Sequence, residues 1–197
     1  MLKNLSEKIK RVFSLRPGES NLVLILGVIL LCNSIAVQIS GIVSISNFLS
    51  AGGVNNFLIV WFIDDIVILL MAGLQTLIVD RFNRNALMKG LTFGFGMVFL
   101  VLRLMFTFGM PDWLNYGLLY LLSEQQELFI PLIFWIMAND MLDVSQTKRL
   151  FPLIATLNFI GKLIGIGIAA FSPAWFARIH VRQEEVLLIN ILLYLIS

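Results

Sequence analysis

Charge is scarce in this sequence. Only 13% of its 197 residues are Asp, Glu, Lys or Arg and 59% are apolar, against about 25% and roughly 45–50% in an ordinary soluble domain. A water-soluble core cannot absorb that excess. Cysteine occurs once, as Cys32 inside an apolar run, which rules out an intrachain disulfide. Histidine also occurs once, as His180, so neither a histidine metal cluster nor a histidine-based triad can be assembled. Gly161-Lys162-Leu163 lacks the Ser or Thr and the upstream glycine of a phosphate loop. The net charge of +2 does not point to nucleic acid, because the positive residues fall where membrane topology places them. The sequence therefore predicts neither an enzyme nor a cofactor or metal site.

Long apolar runs are what the chain has. At roughly 20 residues per span, its length leaves room for six or seven crossings with short connections. Residues 1–20 place Leu2, Leu5, Ile9, Val12 and Phe13 on one helical stripe with Lys3, Lys8, Lys10, Arg11 and Arg16 around it. That pattern predicts an amphipathic helix lying on the cytoplasmic leaflet. Pro17-Gly18 breaks it, and Glu19-Ser20-Asn21 offers N-cap chemistry for the next helix. Six apolar stretches follow within residues 21–197, near 22–48, 57–79, 91–110, 113–137, 152–171 and 186–196. The connections read as tight turns at Ser50-Ala51-Gly52-Gly53 and Met110-Pro111-Asp112 and as a polar one at Phe82-Asn83-Arg84-Asn85. The last stretch has too few residues to cross about 30 Å of hydrocarbon. The expectation is a sixth span cut short, in an N-terminal piece of a longer protein.

Ten Lys and Arg fall on one side of this scheme: five before the first stretch, then Arg81, Arg84, Lys89, Lys148 and Arg149. Two, Arg178 and Arg182, fall on the other. The positive-inside rule then predicts a cytoplasmic N-terminus. Trp61, Trp113 and Trp175 all fall on the outer side, where an aromatic belt belongs.

Six ionisable residues fall at membrane depth: Asp64, Asp65, Arg103, Glu124, Glu127 and Lys162. Each costs about 2.5–3.5 kcal/mol there even on the insertion scale, so each needs a reason. By rise per residue, Asp64 and Asp65 lie about 11 Å from the outer end of the second stretch and Arg103 about 10 Å from that of the third. They are placed to form a structural ion pair. Lys162 and Glu127 lie about 15–16 Å from the inner ends of the fifth and fourth stretches and can pair near the midplane. Glu124 and Glu127 share a helix face, with Gln125 and Gln126 beside them. Asn33, Ser34 and Gln38 make the middle of the first stretch polar. The reading that follows is a wet cavity in which Glu124, Glu127, Lys162 and Asn33 meet solute or carry protons. Its rival is a set of buried pairs that only fix helix packing. Gly161, Gly165 and Gly167 read as positions of close helix approach.

Four segments resemble known families. Val79-Asp80-Arg81-Phe82-Asn83-Arg84 resembles the loop between the second and third helices of the major facilitator superfamily, without the first glycine of the usual version. Arg16-Pro17-Gly18-Glu19, Trp135-Ile136-Met137-Ala138-Asn139-Asp140 and Lys148-Arg149-Leu150-Phe151-Pro152-Leu153-Ile154 look like the N-terminal half of the ATP/ADP translocase family. The resemblance implies a twelve-helix secondary transporter of two six-helix halves with alternating access. It also places Lys148 and Arg149 in a cytoplasmic loop, with Asp80, Arg81, Arg84 and Asp140 at the same surface. The buried charges sum to a formal −2, which suits proton or cation coupling at least as well as a polyphosphate.

The expectation is an all-α integral membrane protein of about six transmembrane helices, one half of a major-facilitator-like bundle in a bacterial inner membrane. Its partners would be the lipid bilayer, a small solute such as a nucleotide, and a missing C-terminal half or downstream domain. The alternative is a transporter-derived membrane anchor or sensor that positions a downstream regulatory domain and moves no solute.

Overall fold

The computed structural model describes residue 16 and residues 19–79, 81–178 and 183–196. The amphipathic helix expected over residues 1–20 lies almost wholly outside these, as do Asp80, His180 and Arg182. The described residues form α1 (Glu19–Val79), α2 (Arg84–Thr107), α3 (Asp112–Met141), α4 (Val144–Arg178), a 3-10 turn (Gln183–Val186) and α5 (Leu187–Ile196). Three helices, α1, α2 and Val144–Trp175 within α4, are long and apolar enough to cross a membrane. The polar run Ser123-Glu124-Gln125-Gln126-Glu127 lowers the hydropathy of α3, although its 30 residues span about 45 Å. α5 is a shorter apolar helix.

The turn expected at residues 50–53 is tighter than the sequence suggests. Helical backbone runs through Ser50, Ala51 and Gly52, and only Gly53 departs from it, at φ 74° and ψ 168°. That left-handed backbone is open to glycine and strained for other residues. α1 therefore consists of two legs, 19–52 and 54–79. Their directions follow from their neighbours on α3. Phe48 packs at Gly117 and Gly41 approaches Ser123, while Gln126 reaches Asn33, so the first leg is antiparallel to α3. Val60 lies at Gly117, Phe57 stacks edge-on against Tyr120, and Gln125 lies beside Asp64. The second leg is therefore parallel to α3, and the chain has folded back at one residue.

The first leg is the centre of the bundle. α4 runs parallel to it, with Gly161 against Leu31 and Gly165 against Ile35. α5 runs antiparallel to it, with Asn190 at Ala36 and Ser40 and Tyr194 at Asn33. α2 pairs antiparallel with α3, joined by Phe106 on Tyr116 at one end and Arg84 on Asp140 at the other. Between them Gly109, at φ 72°, ends α2: its N–H reaches Phe106 O and Met110 N–H reaches Met105 O. That closure satisfies the last carbonyls of α2, so the turning residue is Gly109 rather than the Met110-Pro111-Asp112 run.

Burial on the second leg is inverted relative to a soluble helix. Its buried residues are Asp64, Gln75 and Val79. Leu58, Ile59, Trp61, Phe62, Ile63, Ile66, Leu69, Leu70, Leu74 and Leu77 are exposed. A helix that buries Asp64 and Gln75 and presents its large apolar side chains suits surroundings of lipid. Trp61, Trp113 and Trp175 are also exposed.

The end of the bundle opposite Gly53 is held by ion pairs. Arg149 Nη2 bonds Glu19 Oε1 at 2.9 Å. The Glu19 carboxylate also accepts the backbone N–H of Arg16 at 2.9 Å and Gln146 Nε2 at 3.3 Å. The Arg149 guanidinium, helped by the Arg16 N–H, lowers the Glu19 carboxyl from 4.5 to about 2. A depressed folded value means that this pair stabilises the fold fully above about pH 4.5 and is lost as pH falls toward 2. Wild type is therefore expected to lose more thermal stability in detergent between pH 6 and pH 3 than Glu19→Gln does, a comparison read by circular dichroism. Equal losses in the two proteins would remove Glu19 as the acid-sensitive contact.

Candidate functional site

α3 brings the site together because its polar run meets both legs of α1 and also α4 within one turn. Gln126, fully buried, points to the first leg and donates from Nε2 toward Asn33 Oδ1 at 3.4 Å. Tyr194 Oη donates to the same Asn33 oxygen at 2.9 Å. Asn190 Nδ2 donates to Ser40 Oγ at 2.6 Å and to Ala36 O at 3.3 Å. On the α4 side, Ser34 bonds Asn158. Asn33 thus sits at a buried junction of α1, α3 and α5. A polar group in this setting must be satisfied internally, and these side chains bond one another, although Gln126 Oε1 and Asn190 Oδ1 are left without a partner.

Glu127 faces the other way, toward α4. Lys162 Nζ donates to Glu127 Oε1 at 2.8 Å, with the side chains 38% and 46% exposed. Its reach across the α3–α4 seam depends on Gly161 and Gly165, which let α4 approach the first leg. A Cβ on either would lie 2.7 Å from the carbonyl oxygen of Leu31 or Ile35. Gly167 faces open space and takes no part in this approach. Pro131, inside α3, has no N–H to return to the Glu127 carbonyl, so the helical ladder is interrupted one turn beyond the carboxylate. Glu124, one turn earlier, is half-buried and lies within electrostatic reach of both Glu127 and Asp64.

One of the two expected pairings comes out differently. Depth along the helices pairs Arg103 with Asp64 or Asp65, but its guanidinium bonds Glu185 on the 3-10 turn and Thr107 on its own helix. Glu185 is a closer counter-ion because α5 runs along α2, delivering the turn that precedes it to the same depth. Asp65 is exposed, and Asp64 is buried against α3. Of the surface residues, Arg84 pairs with Asp140 and Arg149 with Glu19, while Arg81 and Lys148 are exposed. Asp80 lies outside the described residues.

Sequence reading misses Asn158, Asn190, Tyr194 and Glu185. A signal for the first three exists. Asn158 precedes Lys162 by one turn on the same face of α4, and Asn190 and Tyr194 share a face of α5 in the same spacing. No group of three or more His, Cys, Asp or Glu among the described residues could hold a metal ion.

Compared with known families, residues 97–197 match the model of the TLC ATP/ADP transporter family. That match runs from the middle of α2 through α3, α4 and α5, and so includes Glu124, Glu127 and Lys162. No curated protein and no solved structure matches the chain.

Proposed function

The chain belongs to the TLC ATP/ADP transporter family, and on that premise we propose that it is the N-terminal, six-span half of a secondary nucleotide transporter. In this reading the protein is of major-facilitator type, works by alternating access, and lies in a bacterial inner membrane with its N-terminus in the cytoplasm. The observation that carries the reading is the half-exposed Glu127–Lys162 pair at the seam of α3 and α4, beside the buried junction at Asn33. A lysine ammonium is a strong point charge for phosphate. Held by Glu127 when the site is empty, it exchanges that carboxylate for a nucleotide phosphate when the site fills. Glu124 and Asn33 complete the wall along which the solute or a coupled proton passes.

Arrangement of charge at the helix ends supports the proposed orientation, because Arg81, Arg84, Lys89, Lys148 and Arg149 cluster at the end opposite Gly53 and match the positive-inside pattern. The pairing of the first leg of α1 with α4 in parallel, with the first leg antiparallel to α3, fits a bundle in which the first and fifth spans enter from the same side.

Full-length protein in lipid vesicles preloaded with ADP is expected to take up labelled ATP from outside, and to take up far less when the vesicles are loaded with buffer alone. Uptake independent of internal nucleotide would replace exchange by one-way transport. No uptake of any nucleotide would leave the membrane-anchor reading in possession of the field.

A further inference from the structure

Asp64 is the carboxylate most completely withdrawn from solvent among the described residues, at 1% exposure, and the Glu127–Lys162 pair does not use it. It projects from the second leg of α1 toward α3, where Gln125, 8% exposed, lies beside it. Asp64 Oδ1 and both polar atoms of Gln125 lack a hydrogen-bond partner of ordinary geometry. The titratable groups facing Asp64 are Asp65 on its own leg and Tyr120 and Glu124 on α3. The first leg carries no Asp, Glu, Lys, Arg or His after Glu19. Among the described residues, the membrane-depth cations are engaged elsewhere, Arg103 with Glu185 and Lys162 with Glu127, and Arg84 is held by Asp140.

We infer that Asp64 and Gln125 form a proton-binding site inside the bundle, distinct from the Glu127–Lys162 pair. An ionised carboxylate in this position faces other acids across an apolar surround; it can accept from the Gln125 amide N–H but leaves the amide oxygen without a donor. A protonated one solves both problems. Its O–H donates to Gln125 Oε1, and Gln125 Nε2 donates to the second carboxyl oxygen, giving a head-to-tail acid–amide pair that satisfies every orphaned atom. Release of the proton restores the charge, and Glu124, which feels both Asp64 and Glu127, passes that change to the solute-facing pair. A transition metal fits less well, because no group of three His, Cys, Asp or Glu that could hold one occurs among the described residues.

The site itself does not depend on what the protein carries; its use in coupling rests on the nucleotide-transport reading. Infrared difference spectroscopy on the full-length protein in lipid tests the site directly. At neutral pH the wild type is expected to show the carbonyl stretch of a protonated carboxylic acid, shifted on deuteration. Asp64→Asn should abolish it, Asp65→Asn should keep it, and Gln125→Leu should move it to the frequency of a free acid. A band that survives Asp64→Asn, or is absent from folded wild type at neutral pH, overturns the assignment. So does a band removed by saturating sodium at constant pH, which would mark a metal-cation site. In vesicles, an inward proton gradient is expected to speed wild-type nucleotide uptake several-fold, and Asp64→Asn should lose that acceleration. Wild-type vesicles that take up no nucleotide would sink the transport reading, while the infrared band would still decide the proton site.

Discussion

Lys162→Met in the full-length protein is expected to lower ATP/ADP exchange by about 10- to 100-fold, the equivalent of one charge-assisted hydrogen bond of about 1.5–3 kcal/mol. Two effects add. The substitution removes the ammonium offered to phosphate, and it leaves Glu127 facing the incoming anion without a counter-ion. Glu127→Gln, which keeps the lysine and removes the competing carboxylate, should raise apparent affinity while slowing turnover. The double variant separates a transport role from a packing role. If the pair only ties α3 to α4, losing both partners together is milder than losing one, because no charge is left uncompensated. If Lys162 meets the nucleotide, the double variant recovers only the share due to the unpaired Glu127 and stays well below wild-type exchange. Exchange by Lys162→Met within about twofold of wild type, a change worth under ~0.5 kcal/mol, would exclude the lysine from the solute path.

The second large effect is expected at the α1–α4 seam. Gly165→Ala places a methyl 2.7 Å from Ile35 O and 3.1 Å from its Cα, contacts that only a backbone shift can relieve. Overpacking of this kind costs about 1–3 kcal/mol, and Gly165→Leu should prevent the seam from closing. Gly161→Ala meets Leu31 O and Ser34 in the same way and should behave alike. Gly167→Ala, whose added carbon meets nothing within 4 Å, serves as the control and should be neutral. Equilibrium unfolding in mixed detergent measures all three. Equal stability of Gly165→Ala and Gly167→Ala would mean that the helices approach less closely than these distances require.

The parts of this architecture legible in the sequence are those fixed by one-dimensional arithmetic. Depth along a helix is rise multiplied by residue number, so the matching depths of Glu127 and Lys162 follow from their positions in the chain alone. The same arithmetic puts Arg103 near Asp64 and fails, because Glu185 belongs to a connecting turn and has no depth until the turn is folded. Spacing alone gives Gly161, Gly165 and Gly167 equal standing. Rotation about the α4 axis separates them, turning Gly167 away from the first leg. The acid–amide pair of Asp64 and Gln125 is hidden for a related reason, since it joins a helix face on one leg to a neighbouring face of α3 that the sequence does not align. Family resemblance at residues such as Trp135 and Lys148–Leu150 agrees with the family match over residues 97–197, whereas the first leg, the centre of the bundle, lies outside that match.

The single-residue reversal at Gly53 restricts how the bundle can move. A hairpin with no slack between its arms cannot let one arm slide lengthwise past the other, so 19–52 and 54–79 must travel as a stiff two-legged lever. If the protein transports as proposed, an opening that admits solute would pivot this lever bodily against α4 along the glycine track, and inserting a few flexible residues after Gly53 is expected to uncouple the stroke of one arm from the other.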